Sequence, residues 1–181
     1  MSKNVVVLLG TGSIGQAIAR RVGAGKHVVL ADLKKDNADK AAKILEDAGF
    51  ETSTIAVNLG SREDILALIE HAQTFGAVKY LINAAGVSPS QASVQDILRV
   101  DLYGTAVLLE EFGKIIADGG SGVVISSQSG HRLGALSEVE NTQLATSPVD
   151  ELMTLPFIMA ITDTLKAYSV LQTLQCLAGN V

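Results

Sequence analysis

The sequence predicts an α/β fold organised around a doubly wound parallel sheet, and three observations predict it. Short apolar runs such as Val5-Val6-Val7-Leu8-Leu9 and Tyr80-Leu81-Ile82 have the composition of strands covered on both faces. Between the runs, apolar residues recur at helical spacing, so strand and helix alternate along the chain. Of the 181 residues, 48% are apolar and only 4% aromatic, with a mean hydropathy of +0.33, which supplies a core of Val, Ile, Leu and Ala. That length suits a single domain, expected to span residues 1–181.

Charge and cysteine usage exclude several classes. A formal net charge of -5 and a pI near 5.1 argue against a nucleic-acid or membrane-surface partner, which would need a basic face. No apolar run reaches ~18 residues and the N-terminus lacks a signal-peptide pattern, so a soluble cytoplasmic protein is expected. Cys176 stands alone, which rules out an internal disulfide and places it in apolar packing, and no Cys/His spacing suggests a metal.

The first strand breaks into Gly10-Thr11-Gly12-Ser13-Ile14-Gly15, and from Ile14 the apolar positions Ala17, Ile18 and Val22 follow helical spacing. In such a strand-turn-helix, Gly10 permits the tight turn, Gly12 lets a pyrophosphate approach the backbone, and Gly15 lets the helix lie close to its strand. The helix N-terminus offers unpaired N–H groups to the anion. A second strand, His27 to Ala31, ends at Asp32, about 20 residues beyond the first glycine, where a carboxylate can hydrogen-bond the ribose of a dinucleotide. A carboxylate accepts from a free 2′-OH and repels a 2′-phosphate, so NAD is expected over NADP. Lys34 and Lys35, which could soften that preference, read as a solvated loop.

Asp36 is expected to cap a helix carrying Ala38, Ala41, Ala42, Leu45 and Ala48, with Gly49 at its end. Thr52 to Val57 reads as the third strand. Ser61 with Asp64 predicts a capping box for a helix with Ile65, Leu66, Leu68 and Ile69 on its apolar side. The fourth strand ends at Asn83-Ala84-Ala85-Gly86. Functional groups in such sheets gather beyond the carboxyl ends of the strands. The cofactor-binding set is therefore expected to comprise Gly10, Gly12, Ser13, Ile14, Gly15, Asp32, Asn58, Leu59, Asn83, Ala84, Ala85 and Gly86.

The glycine turn, the acid after the second strand and the N-A-A-G after the fourth together resemble the short-chain dehydrogenase/reductase family. The resemblance implies an NAD(P)-binding Rossmann fold and oxidoreductase chemistry, with N-A-A-G supporting the central sheet and bordering the cofactor. The glycine spacing departs from the family's commoner T-G-x-x-x-G-x-G, since Gln16-Ala17 follow Gly15.

A long helix is expected from Ser93, its apolar stripe running through Ile97, Val100, Gly104, Val107, Leu108, Phe112 and Ile115, with Asp101 on the stripe or at the helix edge. The family usually holds there an Asn that anchors a water in the proton relay; an ionised Asp can accept hydrogen bonds but not donate them. The fifth strand is Val123-Val124-Ile125. By resemblance, Ser127 beyond it matches the serine that polarises the substrate carbonyl. His131 follows, read as a solvated loop residue, while His27 and His71 look structural, the latter on a helix surface.

A helical and loop segment of about residues 131–163 is longer than the family's usual gap between serine and tyrosine. A helix start is expected at Ser147-Pro148. The apolar residues Met153, Leu155, Phe157, Ile158 and Met159 suit a lid, a subunit contact, substrate walls or extra core. Asp163 caps a last helix bearing Tyr168, which by resemblance matches the catalytic tyrosine of Y-x-x-x-K. The chemistry needs a phenol that gives its proton to the carbonyl oxygen, made more acidic by a nearby ammonium. Position 172 is Gln172, so the lysine is absent.

The family's chain continues for further strands, so the last strands of the sheet are expected to be missing from a chain ending at Val181. The segment Leu171 to Asn180 can be encoded so that a shifted frame reads C-K-R-C-N-A-L-R-V, which restores a lysine four residues after Tyr168. A reading-frame error is the expectation. The function expected is hydride transfer between NAD(H) and a small carbonyl or secondary alcohol, with Ser127, Tyr168 and Asp101 as the catalytic set, in a homo-oligomer whose activity is impaired. The alternatives are a non-catalytic dinucleotide-binding or redox-sensing module and a structural subunit.

Overall fold

The strands β1 (Lys3–Leu9), β2 (His27–Asp32), β3 (Glu51–Ala56), β4 (Gly76–Asn83) and β5 (Ser121–Val124) pair in parallel in the order β3-β2-β1-β4-β5. This is a computed structural model, and it describes residues 3–132 and 136–177, of which 131–132 and 171–177 are described by their backbone alone. The described chain divides into two compact units, one running to Ala85 and joined by Leu108–Val124, the other made of Gly86–Val107 and the chain from Ile125.

In the first unit, α1 (Ser13–Val22), α2 (Lys35–Glu46) and α3 (Arg62–Gln73) connect the strands. Val6, Leu8, Val28, Leu30 and Ile82 form one buried cluster with Ala19 of α1 and Ala38, Ala41, Ala42 and Leu45 of α2. The alternate residues Val5, Val7, Leu9, Val29 and Ala31 are equally buried, so the central strands are covered on both faces, as their unbroken apolar runs require. Because the strands are parallel, the segments that follow β1, β2, β3 and β4 all emerge at one edge of the sheet.

Several element ends differ from the sequence reading. Lys34, not Asp36, is the N-cap of α2; Asp36 sits in its first turn, where an acid favours the helix dipole without capping it. Gly49, at φ +88°, accommodates the turn after that helix. The third strand lies one residue earlier than expected, and the fifth stops before Ile125. Ser61 caps α3 by accepting the Asp64 N–H at 3.2 Å, but the Asp64 carboxylate accepts from the Asn58 N–H at 2.8 Å, so its return bond pins the preceding loop. Replacing the cap with Ser61→Ala is expected to lower stability by about 1 kcal/mol in urea denaturation, without changing the m-value.

His27 stacks on Phe75 with ring centroids 3.9 Å apart and contacts the Ser53 hydroxyl at 3.0 Å. His71 is not a free surface residue: it is half-buried, meets Phe75 edge-on at 5.2 Å, and its Nε2 is buried without a partner among the described residues. Both are structural.

In the second unit, the helix expected from Ser93 is interrupted. Ser93 caps α4 (Val94–Ile97), a π-helical segment follows at Leu98–Gly104, and α5 (Thr105–Gly113), which from Leu108 belongs to the first unit, completes the run. A π turn carries an extra residue per hydrogen bond and so rotates the buried stripe. Leu98, Asp101 and Leu102 are buried while Val100 is only half-buried. Beyond it come α6 (Ser129–Arg132), α7 (Glu138–Thr146), a 3-10 helix (Val149–Thr154), α8 (Pro156–Met159) and α9 (Thr164–Leu177).

The helix expected at Ser147-Pro148 is the 3-10 turn, with Pro148 at its N-cap; the proline inside a first turn is Pro156. A full capping box that the sequence reading missed, Ser137 with Glu140, opens α7. Asp163 caps α9 as expected, accepting the Lys166 N–H at 2.8 Å. Leu152 and Ile158 belong to a buried cluster with Ile97, Leu98, Leu102, Leu144, Ile161, Ala167 and Val170, and Met153, Leu155 and Phe157 pack against it, so most of the inserted apolar residues are core. Met159 is 71% exposed. The side chains of His131, Gln172 and Cys176 lie outside the described residues.

Candidate functional site

The turn after β1 is shaped by backbone crowding. Gly10 has φ +85°, and a Cβ there would lie 2.3 Å from the Ala85 nitrogen, so only glycine fits between the ends of β1 and β4. The Gly10 N–H donates to the Ala31 carbonyl at 2.9 Å and the Ala84 N–H to the Leu9 carbonyl at 2.8 Å, which ties the turn to both neighbouring strands. Gly15 lets α1 rest on its strand, since a Cβ would meet the Gly10 carbonyl and Leu8 Cδ1, each at 2.6 Å.

Gly12 is different. A Cβ on it would meet nothing within 4 Å, and as N-cap of α1 it has no side chain to satisfy the first-turn N–H groups. The turn therefore presents open space to backbone donors at the positive end of a helix, where Ser13 and Ile14 are exposed.

Asp32 faces this turn from the end of β2. Its Oδ2 accepts the Thr11 N–H at 3.1 Å and the Thr11 hydroxyl at 2.8 Å; its Oδ1 accepts the Lys34 N–H at 3.2 Å and the Asn37 amide at 3.1 Å. Burial opposes ionisation, but the hydrogen bonds from Thr11, Lys34 and Asn37 outweigh it and hold the carboxyl below the usual carboxylate range. A cavity of ≈ 340 Å³ opens beside it, lined by Thr11, Gly12, Gln16, Asp32, Asn37, Lys40, Ala41 and Ile44. Thr11, Gln16 and Asn37 were missed from sequence. The signal for Thr11 was the register: Leu9 pairs with Ala31, so Thr11 and Asp32 leave neighbouring strands close together.

The remaining expected contacts vary. Asn58 is exposed and its Oδ1 accepts the Gly60 N–H at 2.9 Å, while Leu59 is buried and offers a ligand no side-chain surface. Asn83 is wholly buried and its Oδ1 accepts the Ala85 N–H at 3.2 Å, so it shapes the turn from beneath. Ala84 and Ala85 are half-buried at the same sheet edge. These residues form an arrangement that fits a dinucleotide: an open glycine at a helix start, an ionised acid one strand away on the β2 side and small residues one strand away on the β4 side.

In the second unit, Gly86 is exposed and abuts Asp101; a Cβ on it would lie 3.1 Å from Oδ1. Asp101 is 2% exposed and, among the described residues, accepts only the Val87 N–H, at 3.0 Å through Oδ1, and leaves Oδ2 buried without a partner. Burial pushes its carboxyl up to about 7, against the smaller opposing effect of the Val87 bond. Ser127 is half-buried, and its Oγ accepts the Ser129 hydroxyl at 3.0 Å and the Ser129 N–H at 3.3 Å. The buried Ser169 hydroxyl donates to the Ser129 carbonyl at 3.2 Å, which joins the Ser127 loop to α9 beside the half-buried Tyr168. α9 also packs against the π-helical segment that carries Asp101. Among the described residues, no His, Cys, Asp and Glu gather into a group that could hold a metal, and no helix is long and apolar enough to cross a membrane.

Residues 9–142 match a family model described as enoyl-(acyl carrier protein) reductase, and the chain is 36% identical over 174 residues to the short-chain dehydrogenase/reductase bsc3 of Alternaria brassicicola. The chain belongs to the short-chain dehydrogenase/reductase family. The Alternaria alignment covers 94% of this chain and 63% of that relative. Dehydrogenase/reductase SDR family member 4 of Bos taurus is 35% identical over 138 residues, covering 70% of this chain and 50% of its own length. The chain thus spans between half and two thirds of these short-chain dehydrogenase/reductases. A solved short-chain dehydrogenase/reductase from Serratia marcescens superposes with a TM-score of 0.68 at 20% identity, over 96% of this chain and 64% of that one. A blue fluorescent protein from a metagenomic library, solved in complex with NADPH, gives 0.68 at 19% identity, over 98% of this chain and 65% of its own. Both establish the Rossmann-like parallel sheet of the family.

Proposed function

We propose that this chain binds a nicotinamide dinucleotide, NAD(H) in preference to NADP(H), at the turn after β1, in the manner of a hydride-transferring oxidoreductase acting on a small carbonyl or secondary alcohol. The observation that carries the reading is the Asp32 carboxylate, kept ionised by Thr11, Lys34 and Asn37 beside the open first turn of α1. Backbone N–H groups at Gly12, Ser13 and Ile14 would receive the diphosphate, Asp32 the adenosine ribose, and Ala84 and Ala85 the neighbouring surface. The neighbour solved with NADPH supports a nicotinamide dinucleotide as the class of ligand.

Such a cofactor, when bound, supplies or takes the hydride. Ser127 would orient the substrate oxygen through its hydroxyl and Tyr168 would hold or release the proton, in line with the family resemblance. Asp101, its carboxyl pushed up to about 7 by burial, would contribute an acid that exchanges its proton near neutral pH in the interior of the second unit. Gln172 stands where the family's lysine belongs and carries no positive charge to assist the proton transfer. Turnover by this chain is therefore expected to be weak or absent. The same residue favours the second reading, a module that binds the dinucleotide without catalysis.

NADH fluorescence titration with a carbonyl panel tests the proposal. Saturable NADH binding is expected, weakened roughly 10- to 100-fold by Asp32→Ala, the range lost with a hydrogen bond to a charged group. Binding without turnover favours the non-catalytic module or an impaired enzyme. No binding of either dinucleotide contradicts the proposal and leaves a structural subunit.

A further inference from the structure

A carboxylate offers about four lone-pair sites, and Asp32 uses all of them on donors from its own chain. A ribose hydroxyl can bond to it only by replacing one of those donors. They differ in their freedom to leave. The Thr11 and Lys34 N–H groups belong to backbone turns, the latter fixed where the Lys34 carbonyl accepts the Asn37 N–H at 2.9 Å. The Thr11 side chain is 5% exposed, so displacing its hydroxyl would strand a buried donor. Asn37 is exposed and its amide can turn to water without a desolvation penalty.

Asn37 also lines the cavity that adjoins Asp32, together with Thr11, Gln16 and Lys40. We propose that Asn37 is a specificity-determining residue, a displaceable donor that holds the Asp32 acceptor a ribose 2′-OH can take over and a 2′-phosphate cannot. This rests on the dinucleotide reading given above. A hydroxyl donates, so it substitutes for the amide one for one and leaves Asp32 satisfied. A phosphate brings acceptors and charge, cannot take the amide's place, and needs the two amide hydrogens of Asn37 to bridge it to the carboxylate. Loss of the amide then acts on the two dinucleotides in opposite directions, which is how a difference in affinity is set.

The test is a fluorescence titration of NADH and NADPH with the full chain and its Asn37→Ala variant, each checked for an unchanged melting curve. NADH is expected to bind about three- to tenfold more tightly to the variant, because no amide must be displaced, and NADPH at least about threefold more weakly. A variant that binds NADH with unchanged or lower affinity, or that shifts both dinucleotides in the same direction, overturns the role of Asn37. If the wild-type chain binds neither, the dinucleotide reading itself fails, and this proposal with it.

Discussion

Asp101→Asn is expected to stabilise the chain at pH 8 by about 1–3 kcal/mol and to remove most of the fall in stability between about pH 4 and 7. Asp101 is 2% exposed and, among the described residues, holds one hydrogen bond, from Val87, and buries its other oxygen without a partner. Burial raises its carboxyl from the ordinary 3.8 to about 7. Between those two values the folded chain binds more protons than the unfolded chain, so stability falls as pH rises through that window. At pH 8 the charged form carries a penalty of up to about 4 kcal/mol, since each unit of pKa corresponds to ~1.36 kcal/mol.

The asparagine keeps an oxygen for the Val87 N–H and carries no charge, but its buried amide nitrogen forfeits about 1–3 kcal/mol if it finds no acceptor. The net gain is the difference. Below about pH 4 the wild-type group is neutral in both states, and the advantage of the variant vanishes or reverses. Urea denaturation of both chains from pH 4 to 8 gives the comparison. Parallel pH profiles would mean that Asp101 ionises as an exposed acid does.

Alanine at Gly10 and at Gly12 should produce opposite kinds of damage. At Gly10 the new Cβ would sit 2.3 Å from the Ala85 nitrogen and 2.5 Å from the Ala84 carbonyl carbon, at a φ of +85° that side chains rarely adopt. Both neighbours are backbone and cannot swing aside, so Gly10→Ala is expected to cost more than about 4 kcal/mol and to lower the melting temperature sharply. At Gly12 the Cβ enters open space at φ -71°, and the expected stability loss is about 1 kcal/mol or less.

That open space is where a diphosphate would approach the α1 N-terminus, so Gly12→Ala should instead abolish most NADH binding in a folded chain. Thermal melting and NADH titration on the two variants separate the effects. Unaltered binding in Gly12→Ala would place the dinucleotide elsewhere.

Much of the first unit was legible because its signals are local. Five apolar residues before Gly10 can only be buried on both sides, and Asp32 closes the next strand in line with the turn. Asp32's partners were not legible, since Thr11 and Asn37 reach it through the register of β1 against β2 and the first turn of α2. The π-helical segment defeated a 3.6-residue count: the stripe through Val100 was displaced, and whether Asp101 faced inward was undecidable from spacing. Pro148 read as a helix start because proline suits both a first turn and an N-cap, and only the 3-10 geometry distinguishes them.

A structure of the chain with NADH bound tests the central claim most directly. The diphosphate is expected against the backbone of Gly12 and Ser13, the Asp32 carboxylate within about 3.2 Å of an adenosine ribose hydroxyl, and the Asn37 amide turned away from it. A nucleotide bound elsewhere, or Asp32 still holding all of its own chain's donors with the ribose out of reach, would contradict it.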